Sequence, residues 1–175
     1  MIVSNVIQFT DSSHYKFVTA TNATTFVDKP HTGYSSKETV LITNVLSNTT
    51  ITQFLTNIPE SQRDYIKITI NNKIVNSSQY DTVLIASGAK VTYYNKFGTA
   101  VDIVYVSIRG DVNGDGEITL IDYSQANVVS RSGSKNAWQY YAADVNRDGV
   151  VNRIDANIIR QHYANAINID ELYND

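Results

Sequence analysis

An α+β chain in two parts is what this sequence predicts: a β-rich region with one helix over residues 1–108, then an all-α region over residues 109–175. Three observations carry that expectation. Before Arg109 the chain is rich in Thr, Ser, Asn, Val, Ile and Tyr, in short runs that alternate apolar with polar residues, as half-buried strands do. One segment in that stretch breaks the alternation and takes helical spacing instead. After Gly110 the composition shifts to an acidic, glycine-containing motif that occurs twice, each copy leading into a helix-compatible pattern.

In chain order, the stretch before about Ser35 admits two readings, extra strands of the same region or a linker with local structure. Tyr15-Lys16-Phe17-Val18 and Tyr65-Ile66-Lys67-Ile68-Thr69-Ile70 set apolar side chains on one face at period two. Between them Ile51, Phe54, Leu55 and Ile58 fall at i, i+3, i+4 and i+7. Thr50 stands as an N-cap and Pro59 just past the end, so one amphipathic helix is expected over 51–58. Asn71-Asn72 reads as a hairpin turn into Lys73-Ile74-Val75, and Asn95-Lys96-Phe97-Gly98 as another joining residues 90–94 to 99–108. The run from Val101 to Ile108 is nearly continuous in apolar residues, which suits a central strand. One helix among about six or seven strands gives a helix packed on a mostly antiparallel sheet.

Composition narrows the function. The 175 residues are 42% hydrophobic and 18% charged, as in a folded globular protein. A net charge of −3 with 14 scattered basic residues argues against nucleic-acid binding, which needs a basic patch. The absence of cysteine removes disulfides, thiolate metal sites and cysteine nucleophiles. No apolar run reaches the roughly 20 residues that span a bilayer, so no membrane insertion is expected. Met1-Ile2-Val3-Ser4-Asn5-Val6-Ile7 lacks the basic start and long apolar core of a signal peptide, and we expect a longer parent upstream. His14, His31 and His162 sit in no H-E-x-x-H motif, and no G-x-S-x-G occurs. His162 reads as a surface or partner-facing residue. Nothing in the pattern supports a glycosidase pair such as Glu38 with Glu60. The chain reads as non-catalytic.

The repeat carries the chemistry. It runs Asp111-Val112-Asn113-Gly114-Asp115-Gly116-Glu117-Ile118-Thr119-Leu120-Ile121-Asp122, and again Asp144-Val145-Asn146-Arg147-Asp148-Gly149-Val150-Val151-Asn152-Arg153-Ile154-Asp155. Each copy follows the EF-hand loop grammar of about twelve residues, with oxygen ligands at positions 1, 3, 5, 7 and 12 and glycine at 6. Calcium is a hard cation that takes about 6–8 oxygens. The first copy offers the side chains of Asp111, Asn113, Asp115 and Asp122 with the main-chain carbonyl of Glu117. The second offers Asp144, Asn146, Asp148 and Asp155 with the carbonyl of Val150. Thr119 and Asn152 at position 9 are expected to hold a bridging water. Ile118 and Val151 at position 8 suit a short β contact between paired loops. Asp/Asn/Gly turns are common, but turns alone give no reason for two copies to agree at positions 1, 3, 5, 6, 8 and 12. With three carboxylates offered as ligands per loop and no local lysine, two bound Ca²⁺ and coupling of metal binding to folding are expected.

On these residues, 109–175 resembles a dockerin, the module by which enzymes and scaffold proteins of bacterial cellulosome-type complexes attach to cohesins. Two loop-helix repeats with Asp at position 12 carry the resemblance. It implies main helices over 123–131 and 156–164 and a short connecting helix over 137–142, with the first loop following a strand in place of an incoming helix. Residues from about Thr39 to Ile108 resemble the X-modules that precede some dockerins, and the missing linker before Asp111 implies rigid coupling. The implied function is calcium-dependent binding to the cohesin domain of a scaffoldin or cell-surface anchoring protein. The implied setting is extracellular, secreted or at a bacterial cell surface, in polysaccharide degradation.

Partner choice in that family lies at loop positions 10 and 11 and one to two turns later. Here those are Leu120, Ile121, Asn127 and Val128, then Arg153, Ile154, Arg160 and Gln161. Exposed Leu and Ile suit a contact patch, although Ile121 and Ile154 could instead fill the module's own core. The repeats differ at most of these positions, which suggests a single binding orientation. The tail from Ile167 to Tyr173 is apolar enough to fold back, with Leu172 or Tyr173 near Tyr105 or Arg109. The alternative function is a carbohydrate-binding N-terminal region using Tyr34, Tyr65, Tyr80, Tyr93 and Tyr94. A calcium sensor is disfavoured by the single methionine and the lack of a first incoming helix.

Overall fold

The computed structural model describes residues 7–10, 15–28 and 38–172. The expectations placed on His14, His31, Tyr34, Tyr173 and residues 1–6 lie outside the described residues. Strands β1 (Lys16–Asn22), β2 (Thr25–Asp28), β3 (Thr39–Thr43), β4 (Ile66–Ile70), β5 (Lys73–Ile74), β6 (Lys90–Tyr94) and β7 (Ala100–Val106) form one sheet in the order β2-β1-β3-β7-β6-β4-β5. All neighbours in that sheet run antiparallel except β3 and β7, which are parallel through Leu41 with Tyr105 and Ile42 with Val106. The stretch whose reading was open thus supplies two strands, β1 and β2. The apolar run of β7 takes the middle of the sheet, with Val104 and Val106 fully buried.

The predicted helix is α1 (Ile51–Thr56), followed by a short α2 (Glu60–Arg63). Thr50 caps α1 reciprocally: its side chain accepts from the Gln53 NH, and the Gln53 side chain accepts from the Thr50 NH at 2.9 Å. The helix ends earlier than its apolar spacing suggests, yet Ile58 still reaches the core fully buried as the chain leaves. Ile51, Phe54 and Leu55 pack with Ile42, Ile68, Val91, Val104 and Val106 in one apolar cluster. Phe54 stacks on Tyr15 at 5.5 Å.

The opposite sheet face is also covered. Register pairs Val18 with Leu41 and Ala20 with Phe26, so these four share that face, where Val18, Ala20 and Leu41 are buried. Phe26 meets Tyr141 edge-on at 4.8 Å and lies parallel to Tyr140 at 6.4 Å, both on α4 (Ala137–Ala143). The sheet therefore lies between α1 and α4.

The remaining helices are α3 (Leu120–Ser132), α5 (Arg153–Tyr163) and α6 (Ile169–Leu172). A second apolar cluster joins Val112, Ala126, Val129, Val145, Ile159 and Ile169. Helices α3 and α5 begin earlier than expected, because Thr119 and Asn152 cap them. Ile118 and Val151 are buried in this cluster, but neither takes part in a β-bridge; the expected strand contact is replaced by core packing. The tail does fold back, with contacts described for Ile169 and Asp170. The Ile169 NH donates to His162 Nδ1 at 3.1 Å, and Asp170 accepts the Ser47 hydroxyl at 2.7 Å. His162 is half-buried in that turn and not a free surface group. Among the described residues no helix is long and apolar enough to cross a membrane.

Phe54 is fully buried at the centre of the first cluster. Phe54→Ala is expected to lower the unfolding free energy by about 3–5 kcal/mol in urea titration, and a loss below about 1 kcal/mol would contradict this packing.

Candidate metal centres

The two acidic loops share one hydrogen-bonding plan. Asp122 closes the first: its Oδ1 accepts from the Val112 and Asn113 NH groups at 2.8 and 3.0 Å, and its Oδ2 from the Thr119 NH and hydroxyl at 2.8 and 3.0 Å. Asp155 repeats this with the NH groups of Val145 (2.9 Å), Asn146 (3.2 Å) and Asn152 (3.0 Å). Asn113 and Asp115 bond to each other through the Asp115 NH at 2.9 Å and the Asn113 amide at 2.7 Å. Asn146 and Asp148 do the same at 3.0 and 2.8 Å. Gly116 and Gly149 adopt φ of +89° and +88°, a conformation that side chains resist. This turns their NH groups onto Asp111 Oδ2 at 3.1 Å and Asp144 Oδ2 at 3.0 Å.

Electrostatics sets these loops apart from ordinary turns. Asp111, Asp122 and Asp155 are wholly inaccessible and Asp144 is 3% exposed. These are positions 1 and 12 of each copy. Burying an ionised carboxylate is costly unless charge or donors compensate. Burial pushes the Asp111 carboxyl up to about 6, against the pull of the Ser87 NH, and the nearby Asp122 charge adds to the rise. Burial also raises Asp122 and Asp144; at Asp144 the Arg147 charge opposes the rise and Asp155 and Asp148 add to it. Asp144 Oδ1 is buried and accepts no hydrogen bond. Oxygen donors, crowded like charges and an unpartnered buried carboxylate oxygen fit a hard cation. The carboxylates alternate with an amide and a main-chain carbonyl and are turned onto NH groups. Among the described residues, no group of three or more His, Cys, Asp or Glu is by itself arranged to hold a metal ion.

The other expected residues fall as follows. The Glu117 side chain is exposed, and its NH donates to Asp115 Oδ1 at 3.0 Å. Val150 is exposed, and its carbonyl accepts from the Asn152 amide at 3.2 Å. At position 9, Thr119 and Asn152 accept from the NH groups of Ile121 and Ile154 at 3.2 and 2.7 Å. Each forms a capping box with the position-12 aspartate, a pattern legible as T-x-x-D and N-x-x-D. Sequence reasoning missed Arg147 at position 4 of the second loop. Its guanidinium donates to the carbonyls of Tyr141 and Asp144 and lies 3.6 Å over the Tyr141 ring. Burial lowers it to about 10, which leaves it charged at neutral pH.

Ile121 and Ile154 are each 58% exposed, so neither fills the core. Leu120, Val128, Arg153, Arg160 and Gln161 are exposed as well, whereas Asn127 is half-buried and donates to the Tyr123 carbonyl at 2.8 Å. Arg153 lines a depression of about 610 Å³ with Asn127 and Arg131. Of the tyrosines considered for sugar stacking, Tyr93 is buried and Tyr80 packs against the first cluster. Tyr65 meets Tyr93 edge-on at 6.2 Å, and Lys67 lies 4.9 Å over the Tyr94 ring.

The capping boxes give a test of how each helix is started. Thr119→Ala is expected to cost about 1 kcal/mol of stability, measured by thermal unfolding, and an unchanged stability would contradict the cap.

Residues 109–163 match the family model described as the dockerin type I domain. No curated protein and no solved structure matches the chain significantly. Dockerin type I domains bind calcium, serve as docking modules without catalytic activity, and take cohesin domains as partners. The C-terminal part of the chain, residues 109–163, is thus similar to the dockerin type I domain.

Proposed function

We propose that the chain is a calcium-dependent docking unit for a cohesin domain, with two EF-hand-like loops that each take one Ca²⁺. One observation carries this reading above the others: positions 1 and 12 of both repeats are buried aspartates, and Asp144 Oδ1 has no donor. Asp111, Asn113, Asp115, Asp122 and the Glu117 carbonyl would hold the first ion. Asp144, Asn146, Asp148, Asp155 and the Val150 carbonyl would hold the second. Calcium, when bound, supplies the positive charge that these buried carboxylates lack. The chain's own part is to shape the loops: Asp122 and Asp155 tie each loop's start to the first turn of α3 and α5, so an ordered loop fixes where each helix begins.

The surface offered to the cohesin is the exposed side of α3 and α5. Leu120, Ile121 and Val128 make the first repeat apolar, while Arg153 and Arg160 make the second basic, with Ile154, Gln161 and Asn127 beside them. Such unlike ends favour one binding orientation. Residues 1–108 act as an X-module-like accessory domain coupled rigidly to the dockerin over 109–175. The setting is an extracellular or cell-surface complex that degrades polysaccharide.

Titration calorimetry of the chain against a panel of cohesins is expected to find a binder whose heat vanishes in EDTA, whereas binding that persists in EDTA contradicts the reading. Against that cohesin, Arg153→Glu with Arg160→Glu and Leu120→Asp with Asn127→Asp are expected to weaken binding unequally, by about 2 kcal/mol or more for the pair at the interface centre. Equal, mild losses would argue for two orientations.

A further inference from the structure

The two loops differ in what surrounds them. Residues 84–88, which precede β6 in the sheet region, lie directly against the first loop. The Ser87 NH donates to Asp111 Oδ2 at 2.8 Å. Ser87 is itself pinned, its hydroxyl accepting from the Ile108 NH at 2.9 Å and donating to the Ile108 carbonyl at 3.3 Å. Next to it the Asn48 NH donates to the Gly116 carbonyl at 2.8 Å. The two bracing segments are joined through the Ile85 NH and the Thr49 carbonyl at 2.9 Å.

The fit is close enough to exclude a methyl group. A Cβ on Gly116 would stand 2.6 Å from the Ile85 carbonyl oxygen, and one on Gly114 would stand 2.6 Å from that of Ser87. In the second loop Gly149 has nothing within 4 Å, and position 4 is Arg147 at φ 61°. A side chain at position 4 is therefore compatible with this kind of loop. Gly114 answers to its neighbour across the region boundary.

Asp111 consequently accepts four NH donors, from Gly114, Asp115, Gly116 and Ser87. Asp144 accepts one, from Gly149, leaves Oδ1 unpartnered, and has the Arg147 cation beside it. We infer that residues 84–88 and Asn48 are a working part of the first calcium site: they hold Asp111 and the loop in binding shape, so calcium fills the first loop before the second. This inference rests on the calcium reading of the loops. The first loop is braced from outside by residues 84–88 and Asn48 as it meets the ion, while the second lacks that brace and admits the ion beside a fixed positive charge.

The full chain can be titrated with terbium as a luminescent calcium substitute. Trp138, the single tryptophan, lies with Cη2 3.5 Å from a Cβ placed on Gly114, so its energy transfer reports the first loop. Tyr140, whose hydroxyl reaches the Val151 NH at 3.4 Å, reports the second. In the unaltered chain the tryptophan-sensitised signal is expected to saturate at about tenfold lower terbium than the tyrosine-sensitised one. Gly114→Ala is expected to remove that lead while leaving the second loop's midpoint in place, and Arg147→Gly is expected to leave the first loop's midpoint unchanged. Equal midpoints, or filling of the second loop first, would overturn the inference while leaving the calcium reading intact. So would a Gly114→Ala chain that keeps the lead. Failure of the unaltered chain to bind calcium or terbium at all would remove both.

Discussion

Buried negative charge at the two ends of each repeat is the constraint around which the C-terminal region is built. An aspartate at position 12 reaches back to the NH groups of positions 2 and 3 and forward to the capping residue at position 9. One carboxylate thus closes the loop and starts the helix. The arrangement requires an acid that is both short and ionised, because a protonated oxygen could not accept two NH donors as well. It also commits that acid to a site closed to bulk solvent, where its charge weighs on the position-1 aspartate. Loop closure and helix start are therefore one physical arrangement.

The sheet region is joined to this arrangement by direct hydrogen bonds. Between β7 and Asp111 the chain is fixed by the Ser107 hydroxyl donating to the Trp138 carbonyl at 2.9 Å and by the Gly110 NH donating to the Ala142 carbonyl at 2.9 Å. The Arg109 guanidinium donates to the Val145 carbonyl at 2.5 Å. Helix α4, which carries Trp138, Tyr140 and Tyr141, covers a sheet face and at the same time leads into the second loop. The outward side of α3 and α5 is in this way held at a set angle to the sheet.

Much of this was legible in the residues. Period-two runs located β1 and β4, the hairpin signal at residues 95–98 located β6 and β7, and the spacing of Ile51, Phe54 and Leu55 with Thr50 ahead located α1 and its cap. The central position of β7 followed from its lack of polar interruptions. The repeat announced both loops through Asp, Asn and Gly at fixed offsets. What stayed hidden depended on contacts distant in sequence. Parallel pairing of β3 with β7 leaves no local signature. The Ser87 NH on Asp111 is a main-chain donor, which no side-chain pattern records. Arg147 passed unnoticed because position 4 is not a ligand position, although its charge faces Asp144. The tail folds back through Ile169 and Asp170 because their partners, the second cluster and Ser47, are assembled from remote segments.

The most direct test of the account is elemental analysis of the purified chain after exhaustive dialysis, paired with helical circular dichroism before and after chelation. The account predicts about two calcium ions retained per chain and a loss of helical signal once they are stripped. A chain that retains no stoichiometric divalent ion, or whose helical signal and thermal midpoint are indifferent to chelation, would contradict it.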